Sequence, residues 1–145
     1  MNLIAKASAT IQAPASKVWE ALTTPEMIEQ YFFGSKTVSD WKVGSPLLFT
    51  GTWEGKEYVD KGFILQSVPE KLFQYSYFSS FSPLEDKPEN YANITYELDE
   101  ENGATTLNIR QENVADEQTR DHSEKNWAVV LDNLKKMLES NTVKV

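Results

Sequence analysis

Residues 11–34 read IQAPASKVWEALTTPEMIEQYFFG. The stretch predicts a strand end followed by two short helices. Pro14 lacks the N–H that a strand ladder needs and suits a first helical turn, so Ala13-Pro14 closes the strand. Val18, Trp19 and Leu22 then fall on one face at helical spacing. Thr23 or Thr24 is placed to cap a second helix, with Pro25 at its first position. That helix carries Met27, Ile28, Tyr31 and Phe32, and Gly34 is placed to stop it.

Before this stretch, Leu3, Ala5, Ala7, Ala9 and Ile11 alternate with polar residues, which predicts a strand over 3–12 with one apolar face. After it, Leu47, Phe49, Gly51 and Trp53 alternate with Leu48, Thr50, Thr52 and Glu54. Trp53-Glu54-Gly55-Lys56 turns the chain into a further strand over 57–68, where Gly62 marks a bulge or a close approach. A strand over 72–78 carries Phe73, Tyr75 and Tyr77 on one face. Another over 91–98 points Ile94, Tyr96 and Leu98 one way. Asn102-Gly103 supplies the positive φ angles of a hairpin leading to a strand over 105–111, with Leu107 and Ile109 inside. The last element is a helix over 116–139 with one apolar stripe: Trp127, Val130, Leu131, Leu134 and Leu138. Short connections force an antiparallel meander, and the stripe must bury on its apolar face. The fold class is α+β.

The chain has 145 residues, no cysteine and a net charge of −8. One domain is expected over 1–145. Without cysteine there is no disulfide, thiolate metal site or cysteine nucleophile. No run suits a membrane span or a signal peptide, which predicts a cytoplasmic protein. Nucleic acid and membrane are not expected as partners, because both require a basic face. Nine acids and two bases lie between Glu97 and Glu124, a segment of charge −7. It reads as a solvated hairpin end and helix start, or else as an acidic docking face.

No Walker, Rossmann or G-x-S-x-G pattern is present. His122 is the one histidine and reads as a surface residue. It shows no recognised metal-ligand spacing with Asp116 and Asp121, so neither metal nor cofactor is expected. Asp60 stands in mid-strand and reads as solvent-facing, with a general-base role as the lesser alternative. No catalytic residue is assigned. The long connection FSSFSPLEDKPEN at 78–90 carries Phe78 and Phe81 as exposed-looking rings and reads as a flexible excursion or a lid.

The motif Ile11, Ala13-Pro14, Val18-Trp19, Ala21-Leu22-Thr23, Pro25-Glu26 resembles the START-like (SRPBCC, pollen-allergen-like) superfamily. Within it the chain is most similar to the family named after the activator of the ninety-kilodalton heat-shock protein ATPase. Trp127, Leu131-Asp132-Asn133-Leu134 and Leu138-Glu139 fit that family's closing helix. The resemblance implies a helix-grip fold: a curved antiparallel sheet of six to seven strands wrapped around the long C-terminal helix, with two short helices after the first strand. It also implies a link to stress response.

Large rings beside Ala5, Ala7, Ala9 and Gly51 either fill the core themselves, the commoner use of an aromatic stripe, or leave an apolar pocket between sheet and helix, which the family resemblance supports. Its mouth is expected near the 78–90 loop and Tyr31 to Phe33. The expected lining is Tyr31, Phe33, Phe49, Trp53, Ile64, Gln66, Tyr75, Tyr77, Tyr96, Ile109, Trp127, Val130, Leu131 and Leu134. Tyr58 and Gln111 are further polar candidates. A molecule with a flat apolar body and one or two hydroxyls fits, its polar atoms meeting a Tyr hydroxyl or Gln66. The leading expectation is a non-enzymatic domain binding a small apolar molecule. The alternatives are a co-chaperone-like domain acting on a chaperone or other protein, and a cyclase or hydrolase of the same superfamily.

Overall fold

The computed structural model describes residues 3–32, 34–79, 85–114 and 116–143, with the side chains of Trp53 and of 140–143 left out. Strand β1 (Leu3–Ile11) leads into α1 (Ala15–Thr23) and α2 (Pro25–Tyr31). Then come β2 (Lys36–Ser39), β3 (Pro46–Trp53), β4 (Lys56–Val68), β5 (Leu72–Tyr77), β6 (Ala92–Glu101), β7 (Ala104–Val114) and the long helix α3 (Glu117–Val143). The strands form one seven-stranded antiparallel sheet in the order β1-β7-β6-β5-β4-β3-β2. It is curved, and α3 lies across its concave face. The helix-grip architecture implied by the family resemblance is the one observed.

Most of the local signals act as the residue types dictate. Glu54-Gly55 and Asn102-Gly103 all have positive φ, which gives the two hairpins the tight turns their residues favour. Gly62 is a close approach: a Cβ added there would overlap the Ser76 carbonyl oxygen on the neighbouring strand. Asp116 caps α3, accepting the Thr119 N–H at 2.8 Å, and that bond holds its carboxyl below the usual range. The capping expected of Thr23 or Thr24 is absent. Thr24 makes no side-chain cap, and Thr23 donates its hydroxyl to the Trp19 carbonyl instead. Strand β2 is four residues long and carries no run of apolar alternation, so no local pattern predicts it.

The N-terminal helices are held by the far hairpin. Glu100, at the end of β6, accepts the Ala15 N–H at 2.6 Å, placing an anion at the start of α1. Thr105 donates to the Ala13 carbonyl at 2.8 Å. The free edge of β1 is covered by α3, which runs beside it. Glu124 accepts the Lys6 N–H at 2.9 Å, Glu139 accepts the Gln12 N–H at 2.9 Å, and Lys135 donates to the Thr10 carbonyl at 2.8 Å. These bonds occupy edge groups that would otherwise offer a template for strand addition.

The core is the inner face of the sheet, the buried side of α1 and α2, and the α3 stripe. Trp127, Val130, Leu131, Leu134 and Leu138 are all buried. Two substitutions test this packing by urea denaturation. Trp127→Ala loses about 3–5 kcal/mol, the scale of a large core truncation. Gly62→Ala loses ~3 kcal/mol or more, because its methyl meets backbone, which cannot rotate away.

Candidate functional site

The inner face of the sheet is paved with rings. Strand alternation turns Phe73 and Tyr75 of β5, Tyr96 of β6 and Phe49 of β3 toward α3. Tyr75 lies 5.7 Å from Phe73, 5.6 Å from Tyr96 and 5.9 Å from Phe49 between ring centroids. Trp127 meets Tyr96 edge-on at 6.0 Å and donates its indole N–H to Gln111 at 2.9 Å. At the end of α2 the chain turns Phe32 inward. Its ring stacks on Phe49 at 5.7 Å and meets Trp127 edge-on at 5.8 Å.

These rings leave a cavity of about 10 Å³ lined by Leu22, Ile28, Tyr31, Phe32, Trp41, Leu47, Phe49, Phe73, Tyr75 and Tyr96. That is room for about one water molecule. Among the described residues, the larger pocket expected from Ala5, Ala7, Ala9 and Gly51 is not seen. The small residues of β1 let α3 approach, and the space beside Ala7 and Ala9 is an open surface groove of about 380 Å³ against α3. The space over Gly51 is taken by Tyr58, whose hydroxyl would lie 2.6 Å from an added Cβ.

Hydroxyls punctuate this apolar wall. Tyr31 donates to the Ala21 carbonyl at 3.0 Å. Tyr75 and Tyr96 share a single hydrogen bond of 2.8 Å. Two phenols joined by one bond use one O–H proton between them, so the other has no acceptor among the described residues. Such a buried donor costs about 1–3 kcal/mol. Burial pushes the Tyr31, Tyr75 and Tyr96 phenols well above their ordinary pKa. Tyr77 is raised by burial and then by the adjacent Asp60 carboxylate, to which it donates at 2.5 Å.

Of the expected lining, Tyr31, Phe49, Tyr75 and Tyr96 border the cavity. Ile64, Ile109, Trp127, Val130, Leu131 and Leu134 are buried in the surrounding core, and Tyr77 is partly buried at its edge. Phe33 and the Trp53 side chain lie outside the described residues. Gln66 is misplaced by the sequence reading. A bulge between Ile64 and Gln66 shifts the register, so Gln66 is exposed and bonds Gln74 at 3.1 Å. Asp60 is also corrected: it is 7% exposed, on the inner face, rather than solvent-facing. Sequence reasoning put Phe32 at the pocket mouth rather than in its lining and passed over Trp41; the place of both in the wall depends on where α2 and β2 dock. His122 is exposed. Among the described residues no group of three His, Cys, Asp or Glu could hold a metal ion, and no helix is long and apolar enough to cross a membrane. In the 78–90 connection, Phe81 lies outside the described residues. Phe78 is partly buried and stacks on Tyr91 at 5.1 Å, while Lys61 pairs with Asp86.

A long helix gripped by a curved antiparallel sheet, with a ring-lined interior, defines a START-like (SRPBCC) domain. The chain belongs to the family described as Activator of Hsp90 ATPase homolog 1-like protein, whose model matches residues 12–139. A solution structure from Cytophaga hutchinsonii is 45% identical, with a TM-score of 0.84 over 99% of this chain and 97% of that one. Two others share the fold at lower identity. The Aha1 dimer from Colwellia psychrerythraea is 20% identical, with a TM-score of 0.75 over 94% of this chain and 96% of that one. CalU16 from Micromonospora echinospora is 20% identical, with a TM-score of 0.70 over 95% and 83%. No protein of curated function matches the sequence.

The buried phenols set an alkaline limit. Their pKa values are raised in the folded state, so their contribution is whole below about pH 10 and is lost as pH climbs above it. Each of Tyr31, Tyr75, Tyr77 and Tyr96 steepens the loss by up to about 1.4 kcal/mol per pH unit. Urea denaturation between about pH 8 and about pH 11 reads the slope. Spectrophotometric titration should show these tyrosines ionising only as the chain unfolds.

Proposed function

We propose that this is a non-enzymatic, cytoplasmic binding domain that takes a small flat apolar or aromatic molecule between sheet and α3. The observation that carries the reading is the Tyr75–Tyr96 pair in the cavity wall, whose single shared hydrogen bond leaves one O–H proton without an acceptor among the described residues. An apolar molecule bearing one hydroxyl or carbonyl oxygen supplies that acceptor. Its body replaces ring contacts already made there. The cavity of about 10 Å³ is too small for such a molecule. Binding therefore requires Phe32 to withdraw from Phe49 and Trp127. Phe32 is suited to that, because it is only partly buried and follows a helix of seven residues.

A thermal-shift screen of aromatic compounds on the wild-type chain and on Phe32→Ala tests the reading. A ligand at 100 times its Kd stabilises the fold by about 2.7 kcal/mol. Phe32→Ala should bind the same compounds more tightly, since it no longer has to expel its own ring. If no compound stabilises either protein, the reading fails.

A second reading is a protein-interaction domain of the chaperone-activating kind. Val38, Val59 and Phe63 are exposed on β2 and β4, at 61%, 51% and 48%. They form apolar surface of the sort that marks contact sites, and the acidic 97–124 segment would steer a basic partner. A pull-down with the ninety-kilodalton chaperone that weakens with added salt would favour it.

A further inference from the structure

The inner face of the sheet is chemically divided. Around Tyr75 and Phe73 it is apolar apart from the phenol oxygens. At its β2–β4 end, polar side chains converge instead. In register across three strands, Thr37 of β2 stands beside Phe49 of β3, and Phe49 beside Asp60 of β4. Asp60 is 7% exposed and accepts the Tyr77 hydroxyl. Thr37 is 5% exposed, and its hydroxyl has no hydrogen-bond partner among the described residues. Beside them, Ser35 is 2% exposed and shares a 2.5 Å hydrogen bond with the Tyr58 hydroxyl.

Polar groups so buried do not favour stability. Removing a carboxylate from water costs several kcal/mol. An apolar side chain at position 60 would pack beside Phe49 without that cost. The polar end also lies next to a place where a flat ring is already seated, since Phe32 stacks on Phe49 and Phe49 lies 6.0 Å from Tyr77. A flat ligand replacing Phe32 on Phe49 would thus lie between two different walls. On one side is the Tyr75–Tyr96 pair, which offers a proton. On the other is Asp60, which accepts one.

We propose that Asp60, with Tyr77 and Thr37, is an anchoring subsite for the donor group of the ligand, an aromatic hydroxyl or N–H. The inference rests on the small-molecule reading above and narrows its ligand to an aromatic that donates a hydrogen bond, beyond merely accepting one. Asp60 is a binding residue in this scheme, with no bond made or broken.

The test is calorimetric titration of the wild-type chain with 2-naphthol and with its methyl ether, 2-methoxynaphthalene. The two share their flat body and their acceptor oxygen, and only the naphthol donates. The ether is the more apolar, so burial alone favours it. A hydrogen bond to a charged acceptor should make 2-naphthol bind about ten- to a hundred-fold more tightly. In Asp60→Asn, which keeps the shape and removes the charge, that preference should shrink to about threefold or less. Equal Kd values for the two probes on the wild-type chain overturn the subsite and leave the small-molecule reading standing, since Tyr75–Tyr96 can donate to either. A naphthol preference undiminished in Asp60→Asn also overturns it. Binding of neither probe, to the wild type or to Phe32→Ala, overturns the subsite for these aromatics. The wild-type comparison needs no variant, so poor folding of Asp60→Asn leaves the proposal exposed to refutation.

Discussion

The structure depends on one contact, the burial of the α3 stripe on the inner face of the sheet. A seven-stranded sheet with Phe49, Phe73, Tyr75 and Tyr96 on one side cannot leave that side in water. Trp127 joins the two layers most directly. Its ring touches Tyr96 and Phe32, and its N–H reaches Gln111, so the bulkiest side chain of the helix is satisfied in both its apolar and polar parts. Once α3 is seated there, its flank lies along β1. Glu124, Lys135 and Glu139 then cover the outer edge of that strand.

The same docking gives the acidic segment a local purpose. Glu100 stands at the N-terminus of α1, Asp116 caps α3, and Glu124 bonds the β1 edge. Three of its nine acids thus make specific backbone hydrogen bonds. The charge of that stretch is accounted for in part by the fold itself, before any partner is invoked.

The interior is closed by rings, the commoner use of an aromatic strand face. Small residues on β1 and β3 suggested empty space. In a folded chain, however, space beside an alanine or glycine is filled by whatever can move closer. Here α3 approaches the alanines, and the Tyr58 ring lies over Gly51. What remains unusual among the described residues is polar rather than empty: a phenol pair with a spare proton, a buried Asp60 and a Thr37 hydroxyl without a partner there.

Local chemistry determined a good deal. The prolines at 14 and 25, the turn pairs Glu54-Gly55 and Asn102-Gly103, the alternating strands and the stripe from Trp127 to Leu138 act over a few residues, so they are legible in order along the chain. They specify six of the strands, all three helices and most of the buried face. Tertiary structure decided the rest. Strand β2 has only four residues and exists because β3 pairs with it. The bulge after Ile64 reversed the facing of Gln66, since a one-residue slip turns side chains to the other side of a sheet. Asp60 is buried and Phe32 is inserted because elements distant in sequence close over them. Periodicity records which face a residue takes within its own strand or helix. It holds no record of what another segment, dozens of residues away, will lay against that face.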